Sequence, residues 1–148
     1  MTMSFLDLLR RTGSAKWPIA PRLVAALPLA GFGSFHLTGM TPLMEILELA
    51  GIPFPSLNYF LAPVLMVLAG LSLGFGFYAR LGAVLGTGAM IVATYSKLMI
   101  TEWPGPVEPP LALPLVVMAA CVIVLVVGAG TWSLDRRAMQ RQGGFQRA

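Results

Sequence analysis

Long uncharged runs of apolar residues dominate the chain and predict four membrane-spanning helices. A helix needs about 20 mostly apolar residues to cross a bilayer, and residues 19–38, 57–79, 81–100 and 109–134 approach that length. The first span is the weakest, because it contains Arg22 and His36. The last span is rich in β-branched residues over 116–127, but a lone strand in hydrocarbon would leave its backbone groups unpaired. We therefore predict an all-α integral membrane protein with a four-transmembrane-helix bundle.

The segment between the first two spans predicts a short interfacial helix in the first outer loop. Thr41 can cap a helix, Pro42 suits its first position, and Gly51 can close it. Glu45 and Glu48 are three residues apart, so they share one face, and apolar residues fill the other. We expect this helix to lie in the membrane interface with its acids toward water. A carboxylate pair that binds a cation or a proton is the alternative.

Composition supports the membrane assignment and excludes several other classes. Of 148 residues, 57% are apolar and 11% are charged, against about 45–50% and about 25% in soluble domains. This composition excludes a disordered chain, and the single cysteine, Cys121, excludes a disulfide scaffold or an in-chain redox dithiol. The single histidine excludes bis-histidine haem ligation, and we expect no metal site. Ten basic residues in so apolar a chain do not predict a nucleic-acid partner.

The placement of charge predicts the topology. Eight of the ten basic residues lie before the first span, between the second and third, or after the fourth, and Arg22 lies at the start of the first span; only Lys97 lies on the opposite side. Basic segments stay cytoplasmic, so we expect a multi-pass protein of the bacterial cytoplasmic (inner) membrane with both termini in the cytoplasm. We divide the chain into a cytoplasmic N-terminal segment (1–17), a four-helix membrane domain (18–135) and a basic cytoplasmic tail (136–148). A cleaved N-terminal signal is disfavoured, because residues 35–37 lack a small-x-small cleavage pattern.

Glycines at helical spacing predict close contacts between the spans. Gly70 and Gly74 form one G-x-x-x-G pattern, and Gly82 and Gly86 form another. Lipid provides little hydrophobic drive for helices to associate. Small residues favour association instead, because they let two backbones approach closely. We assign these four glycines a structural role.

Three polar residues near the outer ends of the spans are candidates for chemistry. His36 is either an interfacial histidine bonded to a loop carbonyl or a proton relay, quinone hydrogen-bond donor or metal ligand. Lys97 can pair with a glutamate of the outer loops: Glu102, Glu45 or Glu48. Tyr95 is close enough in sequence to line the same outer pocket. We assign none of the three a catalytic role.

Two charges near the inner ends of the spans are assigned structural roles. Arg80 is interpreted as a topogenic charge, and an ion pair between Arg80 and Asp135 that ties the inner loop to the last span is the alternative.

Several short motifs, read in order, resemble the DoxX family of small four-helix membrane proteins. They are GSFH at 33–36, GIP at 51–53, the glycine-rich stretch that ends in Arg80, and GAGTWSLD at 128–135. The resemblance implies an inner-membrane bundle, and some relatives are subunits of membrane oxidoreductase systems, including thiosulfate oxidation that feeds quinone. The chain departs from the family pattern at His36, which replaces a lysine, and at Met66, which stands about where many members carry a glutamate.

The function we expect is an accessory or structural subunit associated with a quinone-linked membrane oxidoreductase complex, not catalytic on its own. A stand-alone membrane redox enzyme with an outer-facing pocket is the alternative, followed by a small transporter, which would need a polar path across the bundle. Membrane lipids and other membrane-protein subunits are the expected partners, and a homo-oligomer is an alternative that the sequence leaves open. Quinone is the only cofactor class implied.

Overall fold

The computed structural model describes residues 16–106 and 108–137, and these residues form α-helices and no β-strand. The helices are α1 (Ile19–Leu37), α2 (Leu43–Leu49), α3 (Pro55–Phe75), α4 (Ala79–Met99) and α5 (Ala112–Val127). A further helical turn begins at Leu134. The predicted all-α class is therefore confirmed. Most of the predicted N-terminal segment and of the basic tail lies outside the described residues.

The four predicted spans correspond to α1, α3, α4 and α5, but they differ in how well they would cross a bilayer. Helices α3 and α4, with 21 residues each, are long and apolar enough to do so. Helix α1 has 19 residues and contains Arg22 and Pro28. The prediction that the last helix reaches Leu134 is wrong: α5 is apolar but has 16 residues, and it ends where Gly128 adopts a φ of 86°. Glycine readily adopts this backbone conformation, which terminates a helix.

The four long helices pack side by side, with α1 and α4 each in contact with both α3 and α5. The apolar centre mixes small and branched side chains, which lets the backbones approach closely. Its fully buried members include Ala25, Leu29, Ala69, Leu73, Ala83, Val117, Cys121 and Val124.

Large apolar side chains also face outward from every long helix. Leu27 of α1 is 70% exposed, Phe60 of α3 68%, Leu98 of α4 64% and Val126 of α5 72%. Water-soluble monomers rarely expose apolar patches beyond a few hundred Å². An outer surface of this kind suits contact with lipid.

The first G-x-x-x-G pair occupies two different environments. A Cβ added at Gly70 would lie 2.6 Å from the backbone nitrogen of Ala30, so α3 meets α1 backbone to backbone there. A Cβ at Gly74 would meet only the Cβ of Ala26, at 3.8 Å, which is ordinary contact. Gly70 is therefore the tight helix crossing of this pair.

Both glycines of the second pair face close neighbours. A Cβ at Gly82 would lie 2.6 Å from Ser72 Oγ on α3. At Gly86 it would lie 2.8 Å from Leu29 Cδ1 and 2.9 Å from Cys121 Sγ. Helix α4 therefore presents its small residues to three other helices.

Helix α2 buries its apolar face against α3 and α4 and exposes its acids. Leu43, Ile46 and Leu47 are buried, whereas Glu45 and Glu48 are exposed. The helix begins at Leu43, one residue later than predicted. Pro42 is its N-cap and makes no side-chain cap bond. Gly51, with a φ of 66°, follows its end as predicted.

Candidate functional site

A buried arginine lies where the start of α1, the end of α3, the start of α4 and the segment after α5 come together. Only 2% of Arg22 is exposed. Its Nε donates to the carbonyl of Leu73 and its Nη2 to the carbonyl of Gly74, both at 2.8 Å. These carbonyls belong to the last turn of α3, where backbone acceptors lack the usual amide four residues later; the carbonyl of Leu73 also accepts from the amide of Gly76 at 3.2 Å. Arg22 therefore completes the C-terminus of a neighbouring helix.

The same guanidinium also binds the segment that follows α5. Its Nη1 donates to the carbonyls of Ala129 and Trp132, both at 2.8 Å. Gly76 lies against the guanidinium with a φ of 64°, and a Cβ there would come within 2.9 Å of Arg22 Cζ. Both the backbone conformation and the available space therefore favour glycine at this position.

Asp135 completes this arrangement from the other side. The residue is 1% exposed, and its carboxylate accepts hydrogen bonds from the amides of Tyr78 (2.8 Å) and Ala79 (3.0 Å) at the start of α4. A carboxylate is favoured at a helix N-terminus, because the amides there are unpaired and the helix dipole is positive. Asp135 also attracts Arg22 electrostatically. We call Arg22, Asp135 and the backbone groups they bind the Arg22–Asp135 junction.

Ser133 fixes the turn that presents Asp135. Its hydroxyl donates to the carbonyl of Gly130 (2.9 Å) and accepts from the amide of Arg136 (3.3 Å). It thus caps the helical turn that begins at Leu134, a role typical of serine. Arg80, which the sequence linked to Asp135 as one alternative, extends Nη2 toward the carbonyl of Val126 at 3.4 Å.

In the sequence, Arg22 stands out only as a charge that weakens the first span. A signal for its role was present, because an ionisable residue inside an apolar span is costly unless it is paired. The carbonyls that bind it have no sequence signature, since every residue carries one. The glycines at 128 and 130 are the one sequence feature consistent with backbone carbonyls that face Arg22.

His36 binds a side chain at the opposite end of the molecule. Its Nδ1 is hydrogen-bonded to the hydroxyl of Thr41, which joins the end of α1 to the loop before α2. The predicted structural partner was a loop carbonyl. The hydroxyl of Thr41 is bonded to His36 and does not cap α2.

Lys97 is held by the loop between α4 and α5. It forms a salt bridge with Glu108, and its ammonium lies 4.7 Å from the centre of the Trp103 ring. Glu108 takes the place of the partners expected from sequence, because the proline-rich loop folds back over the end of α4.

The three sequence candidates have different surroundings. Tyr95 is 44% exposed, whereas His36 and Lys97 bind different loops. Two surface depressions, of about 330 and 460 Å³, exclude all three residues from their linings. Within residues 16–106 and 108–137, no group of three His, Cys, Asp or Glu side chains is placed to hold a metal ion.

The family model for DoxX matches residues 18–102, more than half of the chain. The chain belongs to the DoxX family. No curated protein and no solved structure matches it. The DoxX match covers α1 to α4 and ends before α5 and Asp135. The Arg22–Asp135 junction therefore connects the DoxX-matched region to the segment that closes the membrane domain.

Proposed function

We propose that this DoxX protein is a four-helix bundle of the bacterial cytoplasmic membrane that serves as an accessory subunit of a quinone-linked oxidoreductase complex. The observation that carries the proposal is that polar side chains inside the bundle bind the chain's own backbone, while apolar side chains face outward. Such an arrangement stabilises a scaffold in lipid and leaves little polar surface for chemistry.

The dimensions of the helices support a bundle that crosses the bilayer four times. At 1.5 Å per residue, α1 extends about 28 Å and α5 about 24 Å, close to the hydrocarbon thickness of about 30 Å. The charge of Arg22 would oppose insertion of α1. In the folded bundle four backbone carbonyls accept hydrogen bonds from its guanidinium, and these bonds offset part of the cost of burying the charge.

Charge at the two ends supports an orientation. The end with the Arg22–Asp135 junction, which we call the basic end, also carries Lys16, Arg80, Arg136 and Arg137. The opposite end, which we call the acidic end, carries Glu45, Glu48, Lys97, Glu102 and Glu108. We place the basic end in the cytoplasm by the positive-inside rule. Helix α2 then lies at the outer interface with its glutamates toward water.

Buried and half-buried polar groups support a structural role. Arg22 and Asp135 bind main-chain groups, and Ser72, Thr87 and Thr94 donate to main-chain carbonyls. His36 and Lys97 each join a helix to a loop. These bonds give each of the named side chains a role in folding.

We assign quinone chemistry to the partner subunits rather than to this chain. A quinone site combines an apolar slot with convergent polar groups. The candidate donors His36, Tyr95 and Lys97 do not line the depression formed by Leu49, Met99, Ile100, Thr101 and Glu102, nor the one on α3. The linings of these two depressions therefore favour an accessory role over a quinone site within the chain. The redox association rests on the family resemblance.

Purification from native membranes tests the accessory role. We expect the tagged full chain to co-elute with other membrane subunits and quinone-linked activity to fall when the chain is deleted. His36→Ala should restore that activity fully. A chain that elutes alone and turns over quinone would establish the stand-alone enzyme instead, and ion flux in liposomes would establish a transporter.

Reporter fusions test the orientation separately. A reporter active only in the periplasm should be silent at either terminus and active when inserted after Gly51. Activity at one terminus alone would refute an even number of spans, and activity at both would invert the topology.

A further inference from the structure

We propose that the basic end contains a binding site for the head group of an anionic phospholipid of the phosphatidylglycerol or cardiolipin type. The site lies between the start of α1 and the segment after α5. We call it the head-group patch and define it as Lys16, Trp17, Trp132, Arg136 and Arg137. The proposal requires the membrane setting but not the accessory role.

The Arg22–Asp135 junction holds the two sides of the head-group patch together. The amide of Arg22 donates to the carbonyl of Pro18 (3.2 Å), which continues α1 back to the turn that contains Lys16 and Trp17. The guanidinium of Arg22 donates to the carbonyl of Trp132 (2.8 Å). One buried side chain thus joins the helix that follows the Lys16–Trp17 turn to the carbonyl of Trp132.

The charge that this surface presents is positive. Asp135 is the acid of the closing segment, and its carboxylate is buried on the amides of Tyr78 and Ala79. Lys16 and Arg137 are exposed, and Arg136 is partly exposed. A phosphodiester placed here would meet several cations, with the nearby carboxylate turned inward. Basic clusters at the cytoplasmic ends of spans favour anionic lipid head groups in this way.

The two tryptophans favour a lipid over a free anion. Trp17 is 55% and Trp132 is 70% exposed, and amphipathic indole rings settle at the depth of the head groups. Val126 of α5 and Leu23 of α1, which belong to the two helices next to the patch, are exposed apolar residues. A ligand with an anionic head and acyl chains matches both parts of this surface.

Lipid retention by the detergent-purified full chain, with any subunits that co-purify, tests the site. The protein is mixed with equal amounts of phosphatidylglycerol and phosphatidylethanolamine and examined by native mass spectrometry. We expect preferential retention of phosphatidylglycerol and a loss of about fivefold in Arg137→Gln, the factor expected for one basic residue near an anionic surface. Lys16→Gln provides a second variant on the other side of the patch.

Lys97→Gln is the matched control, because it removes one cation at the acidic end. It should leave the preference for phosphatidylglycerol unchanged, and all variants are compared only after their melting temperatures are measured. Equal retention of the two lipids, or an equal loss in Lys97→Gln, would overturn the site. Displacement of the lipid by an equal concentration of inorganic phosphate would show a bare phosphate site instead.

Discussion

The guanidinium of Arg22 donates a 2.8 Å hydrogen bond to the carbonyl of Trp132, which lies 110 residues later in the chain. Together with the bonds to Leu73, Gly74 and Ala129, this contact joins the first helix to the end of the third and to the segment after the last. The first turns of α1 are thus joined to the segment after α5. Helix α1 cannot leave the bundle without exposing four backbone acceptors.

Replacement of Arg22 should therefore be among the most damaging single changes. Arg22→Met keeps much of the volume but removes all four bonds and the charge opposite Asp135. We expect a loss of about 3–5 kcal/mol, as when one partner of a buried ionic network is removed, and Arg22→Lys should recover part of it. Thermal unfolding in detergent measures this, with exposed Glu48→Gln as the control. A melting temperature for Arg22→Met equal to that of the control would contradict the role assigned to the junction.

Asp135 should show a graded response to substitution. Asp135→Ala leaves the amides of Tyr78 and Ala79 without an acceptor, which costs about 1–3 kcal/mol for each buried group left unpaired. Asp135→Asn retains one oxygen acceptor and should cost less. Exposed Glu45→Gln should change stability by less than about 0.5 kcal/mol. If Asp135→Asn and Asp135→Ala melted at the same temperature as wild type, the hydrogen bonds between Asp135 and the start of α4 would not stabilise the protein.

Two glycines of the same helix should respond oppositely to alanine. A methyl at Gly70 would meet the backbone of Ala30 at 2.6 Å, whereas at Gly74 its nearest neighbour would be 3.8 Å away. We expect Gly70→Ala to cost about 1–3 kcal/mol through overpacking. Gly74→Ala should be neutral or slightly stabilising, because alanine favours helix. Unfolding of both variants side by side is the measurement, and the reverse order would place the tight crossing one turn later in α3.

Apolar run length and helix-breaking residues allowed much of the fold to be predicted. The sequence places α1, α3 and α4 within a few residues of their observed bounds, because uncharged runs of this length are long enough for helices. It fails at the end of α5, where apolar character continues through the glycines but helical geometry does not. Hydropathy reports how well residues suit an apolar environment. Gly128 ends the helix through its backbone conformation, which hydropathy does not detect.

The polar contacts were less predictable, because they depend on which loops fold back. Lys97 has four glutamates on its side of the chain, and sequence distance does not indicate that Glu108 is the one that reaches it. Arg22 binds carbonyls, which no side-chain pattern identifies. The Ser133 cap was predictable, because its bond is local and follows from helix-start chemistry.

The Lys97–Glu108 salt bridge should be weak and sensitive to salt, in contrast to the buried junction. The Glu108 side chain is 66% exposed and the Lys97 side chain 9%, so solvent screens the pair, and exposed pairs contribute about 0–1 kcal/mol. Glu108→Gln should therefore lower stability by less than Asp135→Asn, and the loss should vanish near 1 M salt, where the screening length is about 3 Å. Lys97→Gln should cost more than Glu108→Gln, because it also removes the cation over the Trp103 ring. Melting temperatures of both variants at low and high salt measure the difference, and a loss in Glu108→Gln that persists in high salt would mean that the loop is held by a desolvated pair.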